Sequence, residues 1–172
     1  MILAFDTYYF EDKAKTVCVL FEHWQDAVPL QIYDEVLTGI EPYQSGLFYK
    51  RELPCILSLL HRVKAQIQQT ITAIVIDGFV FLDDQGKLGL GAHLYHHLEQ
   101  LGQAVPVIGV AKSGFYDNTK NVLELLRGKS KKPLYITAIE MDIQRAFECV
   151  QEMHGAYRMP TLLQVLDIET RA

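Results

Sequence analysis

The chain has 172 residues, 49% of them hydrophobic and 22% charged, which is enough to bury a sizeable core and excludes a disordered or low-complexity protein. Its net charge of -5 gives no global attraction to phosphate backbones. Any contact with nucleic acid must therefore be local, made by small Lys/Arg clusters and a bound cation.

Ile2-Leu3-Ala4-Phe5, closed by Asp6, reads as a first strand over about 2 to 6. Thr16 to Phe21 and Ala27 to Val36 follow as two more strands, an antiparallel meander. Residues 41 to 51 are rich in turn formers and read as a loop leading into a helix. From Glu52, apolar Leu53, Ile56, Leu57, Leu60, Val63 and Ile67 recur at helical spacing, which predicts a helix over 52–69 with Pro54 in its first turn. The run Ile71 to Ile76, ended by Asp77, is a buried-type strand. A polar loop through Asp83 and Gly86 leads to a helix over about 90–101. A strand at 105–110, a helix near 117–127, a basic linker from Arg127 to Lys132 and a strand near 134–137 come next. A last helix is expected over about 142–154, with Asp142 at its N-cap. Three antiparallel strands followed by alternating helices and strands is the order of a ribonuclease H-like fold: α/β, with a mixed central sheet flanked by helices, in one domain over 1–172.

Cys18, Cys55 and Cys149 are widely spaced and form no C-x-x-C pair, which points to a reduced, cytoplasmic setting and to neither a disulfide frame nor a zinc site. Met1 to Phe5 is too short for a signal-peptide core, and no stretch approaches 18 apolar residues, so a soluble protein with no membrane partner is expected.

Two buried-type strands each end in a carboxylate, Asp6 and Asp77. An α/β sheet binds ligands beyond the carboxyl ends of its strands. Neighbouring strands lie about 4.8 Å apart, so on adjacent strands these two carboxylates can hold one hard cation. An Asp after a strand is commonly only a turn residue. His93 and His97 have a zinc-compatible spacing but lack a third ligand, so packing or surface roles are expected. The glycines at 86, 89 and 91 lack the phosphate-loop arrangement. The run 127–132 suits either a nucleic-acid contact or a solvated linker.

Five runs together resemble the successive motifs of the endonuclease V family: Phe5-Asp6-Thr7-Tyr8-Tyr9, Pro42-Tyr43 through Pro54, Ile76-Asp77-Gly78, Leu88 through Leu94, and Pro106 through Ser113. The resemblance implies a Mg²⁺- or Mn²⁺-dependent endonuclease that cuts a phosphodiester of DNA or RNA near deaminated adenine (inosine). It implies Asp6, Asp77 and Glu52 as metal ligands, directly or through water, and Lys112 as a phosphate contact completing the catalytic set. It places Tyr43 in a strand-separating wedge, where Ser45 stands at a usual proline, and Gly46, Gly78, Lys112 and Ser113 at the nucleic acid. The family's histidines after the second aspartate are replaced by Phe79 to Asp83, so a weaker preference for inosine is expected. A further family histidine between the last strand and last helix is missing, no counterpart of the family's segment before the first strand is expected, and Glu140 or Asp142 is the expected substitute for that histidine. The rival expectation is a nucleic-acid-binding or interaction module that keeps the fold without turnover.

Overall fold

Ile2–Phe10 (β1), Lys13–Phe21 (β2) and Gln31–Thr38 (β3) form the expected meander, β1 pairing with β2 and β2 with β3 antiparallel. This computed structural model describes residues 1–40, 48–115 and 117–172, without the side chain of Phe48. Tyr43, Ser45 and Gly46 fall outside the described residues. After the meander come Phe48–Gln66 (α1), Ala73–Asp77 (β4), Leu90–Gln100 (α2), Val107–Ala111 (β5), Leu123–Leu125 (β6), Leu134–Ile139 (β7), Ile143–Glu152 (α3) and Thr161–Arg171 (α4). The sheet order is β3-β2-β1-β4-β5-β7-β6, with β4 parallel to β1 and to β5 and the remaining neighbours antiparallel. This is a ribonuclease H-like fold.

Side-chain alternation along the strands splits the core in two. Ile2, Ala4, Val75, Ile108 and Val110 pack under α3 and α4. Leu3, Phe5, Ile74, Ile76 and Val107 pack under α1 and α2. Burying an apolar side chain of this kind contributes roughly 1.5–3 kcal/mol, so two filled layers hold the central strands firmly.

Three expectations need correction. α1 begins before Glu52, so Pro54 lies inside the helix and not in its first turn. The segment 117–127 is not a helix: it is turns followed by β6. Its short polar side chains serve tertiary contacts instead, Asn118 Nδ2 donating to Phe81 O (2.8 Å) and Asn121 Nδ2 to Asp83 O (2.9 Å). Asp84 accepts from the backbone of Thr119 and Lys120 at 2.6 and 2.7 Å, and such bonds compete with helix formation. Lastly, α3 is followed by another helix, α4, which packs against β1 and β2. Among the described residues no helix is long and apolar enough to cross a membrane.

Candidate active site

Register brings the two aspartates together. Phe5 pairs with Ile76 across the parallel β1–β4 ladder, so the next residues, Asp6 and Asp77, stand side by side. Alternation turns both toward the face covered by α4, since Ala4 and Val75, two residues earlier on each strand, pack there. Lys112, two residues beyond Val110, shares that direction. A cleft lined by Asp6, Asp77, Lys112 and Asp167 results. Glu52 approaches from α1, on the opposite layer, and reaches the same rim.

The three acids strain one another's ionisation. Asp6 is buried and its carboxyl is pushed up to about 7, first by burial and then by the charge of Asp77, against a hydrogen bond from Thr7 N–H (2.9 Å). Glu52 is pushed up to about 8 by burial and by the charges of Asp6 and Asp77. Burial raises Asp77 as well, while the nearby Lys112 ammonium opposes the shift. Asp77 is the solvent-open member. Such a cluster is deficient in positive charge, which a hard divalent cation could supply. Among the described residues, no group of three or more His, Cys, Asp or Glu side chains is placed to hold a metal ion. The Asp6–Asp77 pair offers two carboxylates, a number that Mg²⁺ takes when water and phosphate fill its other positions.

Asp167 went unnoticed in the sequence. From α4 its Oδ1 lies 3.7 Å from Lys112 Nζ and accepts a hydrogen bond from Arg171. Burial alone would raise its carboxyl, but Arg171 and Lys112 outweigh it and hold the group below its usual range. The available signal was Leu162, Leu163 and Leu166 after Pro160, a helical pattern behind a proline start.

Beside the acids opens a cavity of about 450 Å³, whose walls include Tyr49, Glu52, Asp77, Phe79, Leu88 and Phe115. Gly78 and Ser113 line it too. Phe79 and Phe115 meet edge to face at 4.9 Å. Asp83 does not face this cavity, for its Oδ1 accepts from the backbone of Gln85 and Lys87 within its own loop. Two glycines shape the floor. Gly78 has φ +136°, and a Cβ on Gly109 would stand 2.5 Å from both Gly78 O and Thr137 Oγ1. The bond from Val80 N–H to Thr137 Oγ1 (2.8 Å) closes this junction.

Glu140 and Asp142 do not join the site. β7 runs antiparallel to β5, with Ile139 opposite Val107, so its end lies at the rim remote from Asp77 and Lys112. Glu140 accepts from Tyr95 OH at 2.7 Å, and Asp142 caps α3 by accepting from Gln144 N–H at 3.0 Å. The expected substitution for a histidine is thereby overturned by strand direction. His93 stacks on Tyr49, ring centroids 3.6 Å apart, and His97 is exposed.

Comparison with known proteins agrees with this fold. No curated protein matches the sequence. The catalytic domain of human endonuclease V superposes with a TM-score of 0.77 at 20% identity, covering 99% of this chain and 80% of that one. Ciona intestinalis endonuclease V, solved with a 24-mer DNA containing an inosine followed by a ribo-adenosine, gives 0.78 at 18% identity, covering 99% and 84%. The Streptomyces avermitilis enzyme gives 0.72 at 23%, covering 99% and 79%. At these identities the superpositions establish the fold. The family model for endonuclease V matches residues 1–167, and on that match across nearly its whole length the chain belongs to the endonuclease V family of nucleases.

Proposed function

We propose that the protein is a Mg²⁺- or Mn²⁺-dependent endonuclease that hydrolyses a phosphodiester of DNA or RNA beside a deaminated base, in repair or processing. The observation that supports this most is the side-by-side Asp6–Asp77 pair, facing Lys112 and opening onto a cavity with aromatic walls. Asp6 and Asp77 would hold the cation directly, with Glu52 behind them through water. When bound, that cation supplies Lewis-acid polarisation of the phosphate and charge for the departing oxygen.

The chain's own groups do the rest. Lys112 neutralises a phosphate oxygen, and Asp167 aims it. Glu52, whose carboxyl the bound cation would draw back to its ionised form, is placed to accept a proton from the attacking water as a general base. Asp77 and Asp6 align the water with the phosphate. Phe115, exposed and packed edge to face on the buried Phe79, offers a flat apolar surface to an extruded base, and stacking on such a surface is tolerant of base identity. A modest preference for inosine over adenosine follows. Three free, buried cysteines support a reducing, cytoplasmic setting.

A binding module without turnover is the second reading. It is favoured by the lack of any histidine among the described residues lining the cleft or the cavity. The separating experiment incubates the protein with inosine-containing and plain DNA and RNA oligonucleotides, with Mg²⁺, with Mn²⁺ and with chelator. Chelator-sensitive strand cleavage is expected; binding without cleavage in either metal leaves the second reading.

A further inference from the structure

The basic run that the sequence left between two readings lies at the catalytic rim. In the antiparallel β5–β7 ladder, Ala111 faces Tyr135. Residues just before β7 therefore stand beside Lys112 and Ser113, and the β6–β7 hairpin projects from the same edge as Asp77. Lys129, Lys131 and Lys132 are all exposed there. None of the three is in an ion pair among the described residues. Three unpaired cations at one edge of a chain with net charge -5 form a local attraction for polyanions where the global field offers none.

The hairpin is also fastened. Arg127, buried at its base, donates to four backbone carbonyls of the α3–α4 connection, including Met153 O at 2.7 Å and Tyr157 O at 2.6 Å. Gly128 has φ +60°, and a Cβ there would lie 2.3 Å from Ala156 O, so hairpin and connection are in close contact. From the same connection, Arg158 Nη2 donates to Lys112 O (2.5 Å) and to Pro133 O (2.6 Å). One guanidinium thus ties the backbone of the site lysine to the residue that follows Lys132. A solvated linker has no need of this bracing. A surface that must hold a fixed position relative to Lys112 does.

We propose that the β6–β7 hairpin, through Lys129, Lys131 and Lys132, is a docking arm for the phosphate backbone flanking the site of cleavage, held in register with Lys112 by Arg158. The proposal rests on the nuclease reading of the site. Strands β5 and β7 lie about 4.8 Å apart, and one nucleic-acid strand advances about 3.4 Å per phosphate. A backbone with one phosphate at Lys112 that runs toward β7 would carry its next phosphates across the hairpin.

The test is the salt dependence of binding to a fluorescein-labelled inosine-containing duplex in Ca²⁺, compared between parent and a Lys129→Gln/Lys131→Gln/Lys132→Gln variant whose thermal melt matches the parent's. Loss of two or three phosphate contacts should lower the slope of log K against log salt by about 2–3 and weaken binding on the order of tenfold or more at low salt. The Lys→Arg triple variant should keep the parent's slope, and Lys64→Gln, at the far rim, should leave it unaltered. A parent that binds while the Gln variant keeps the same slope overturns the hairpin proposal and leaves the nuclease reading standing. An equal change from Lys64→Gln also overturns it, since the effect is then one of overall charge. A parent that binds neither this duplex nor its RNA counterpart overturns both.

Discussion

Lys112 Nζ stands 3.7 Å from Asp167 Oδ1, joining the end of β5 to α4 across the mouth of the site. Both side chains are more than a third exposed, so the pair contributes at most about 1 kcal/mol to stability. Its value is in aim. Lys112→Ala should lower single-turnover cleavage by about 10²–10³-fold, the usual consequence of removing one preorganised charge from a transition state, while the melting temperature stays close to the parent's. Rate and melt are measured on the same preparations.

The metal-free protein should lose stability as pH rises. The folded-state values of Asp6 and Glu52, about 7 and about 8, lie above the ordinary 3.8 and 4.5. Between about pH 4 and about pH 8 the folded state therefore binds more protons than the unfolded one, and stability declines across that window. Each unit of displacement is worth on the order of 1.4 kcal/mol. Denaturation in chelator at several pH values should show the decline, and Asp6→Asn should flatten it.

Added Mg²⁺ should reverse that loss. A ligand that binds only the folded state stabilises by about 2.7 kcal/mol at a concentration a hundredfold above its Kd. The increment should grow with pH as the carboxylates ionise, and it should vanish in Asp77→Asn. Melts with Mg²⁺ and with chelator, taken at acid and alkaline pH, give the comparison.

Gly109→Ala tests the floor of the site. The new methyl would meet Gly78 O and Thr137 Oγ1 at 2.5 Å, and the strands there are paired on both sides. Overpacking of this kind costs about 1–3 kcal/mol. It should also displace Gly78 and with it the neighbouring Asp77 at the end of β4, so cleavage should fall by more than the loss of folded protein accounts for, as read from activity per folded molecule.

The far rim gives the opposite expectation. Glu140→Gln should leave cleavage unaltered, because its carboxylate is engaged with Tyr95 away from the acids. Asp142→Ala should cost about 1 kcal/mol as a lost helix cap, again without a specific effect on rate. Denaturant titrations alongside cleavage assays distinguish the two kinds of loss.

The central strands and both aspartates were legible because unbroken apolar runs ending in a carboxylate are local signals, and β1 and β4 carry them in full. Glu52 and Lys112 carry no local signal of their own beyond the resemblance: the register of β4 and β5 sets Lys112 near Asp77, and α1 carries Glu52 to the same rim. Strand direction was not legible. The antiparallel return of β7 sends Glu140 to the wrong end of the sheet, and no local pattern encodes that. The segment 117–127 carried helical composition, yet Asn118, Asn121 and Asp84 use their side chains to join two loops. α4 did display apolar spacing after Pro160, and reading it would have revealed Asp167. The position of the lysine hairpin depends on β5–β7 pairing, which is tertiary information.

In the proposed function, Asp6 and Asp77 together hold the cation needed for cleavage of the phosphodiester. The most direct measurement is single-turnover cleavage of an inosine-containing oligonucleotide in Mg²⁺ by the parent, Asp6→Asn and Asp77→Asn, each checked for fold by its melt in chelator. Cleavage by the parent, loss of cleavage in both variants and metal-free melts equal to or above the parent's are the predicted result. Cleavage by both variants at the parent's rate would contradict it.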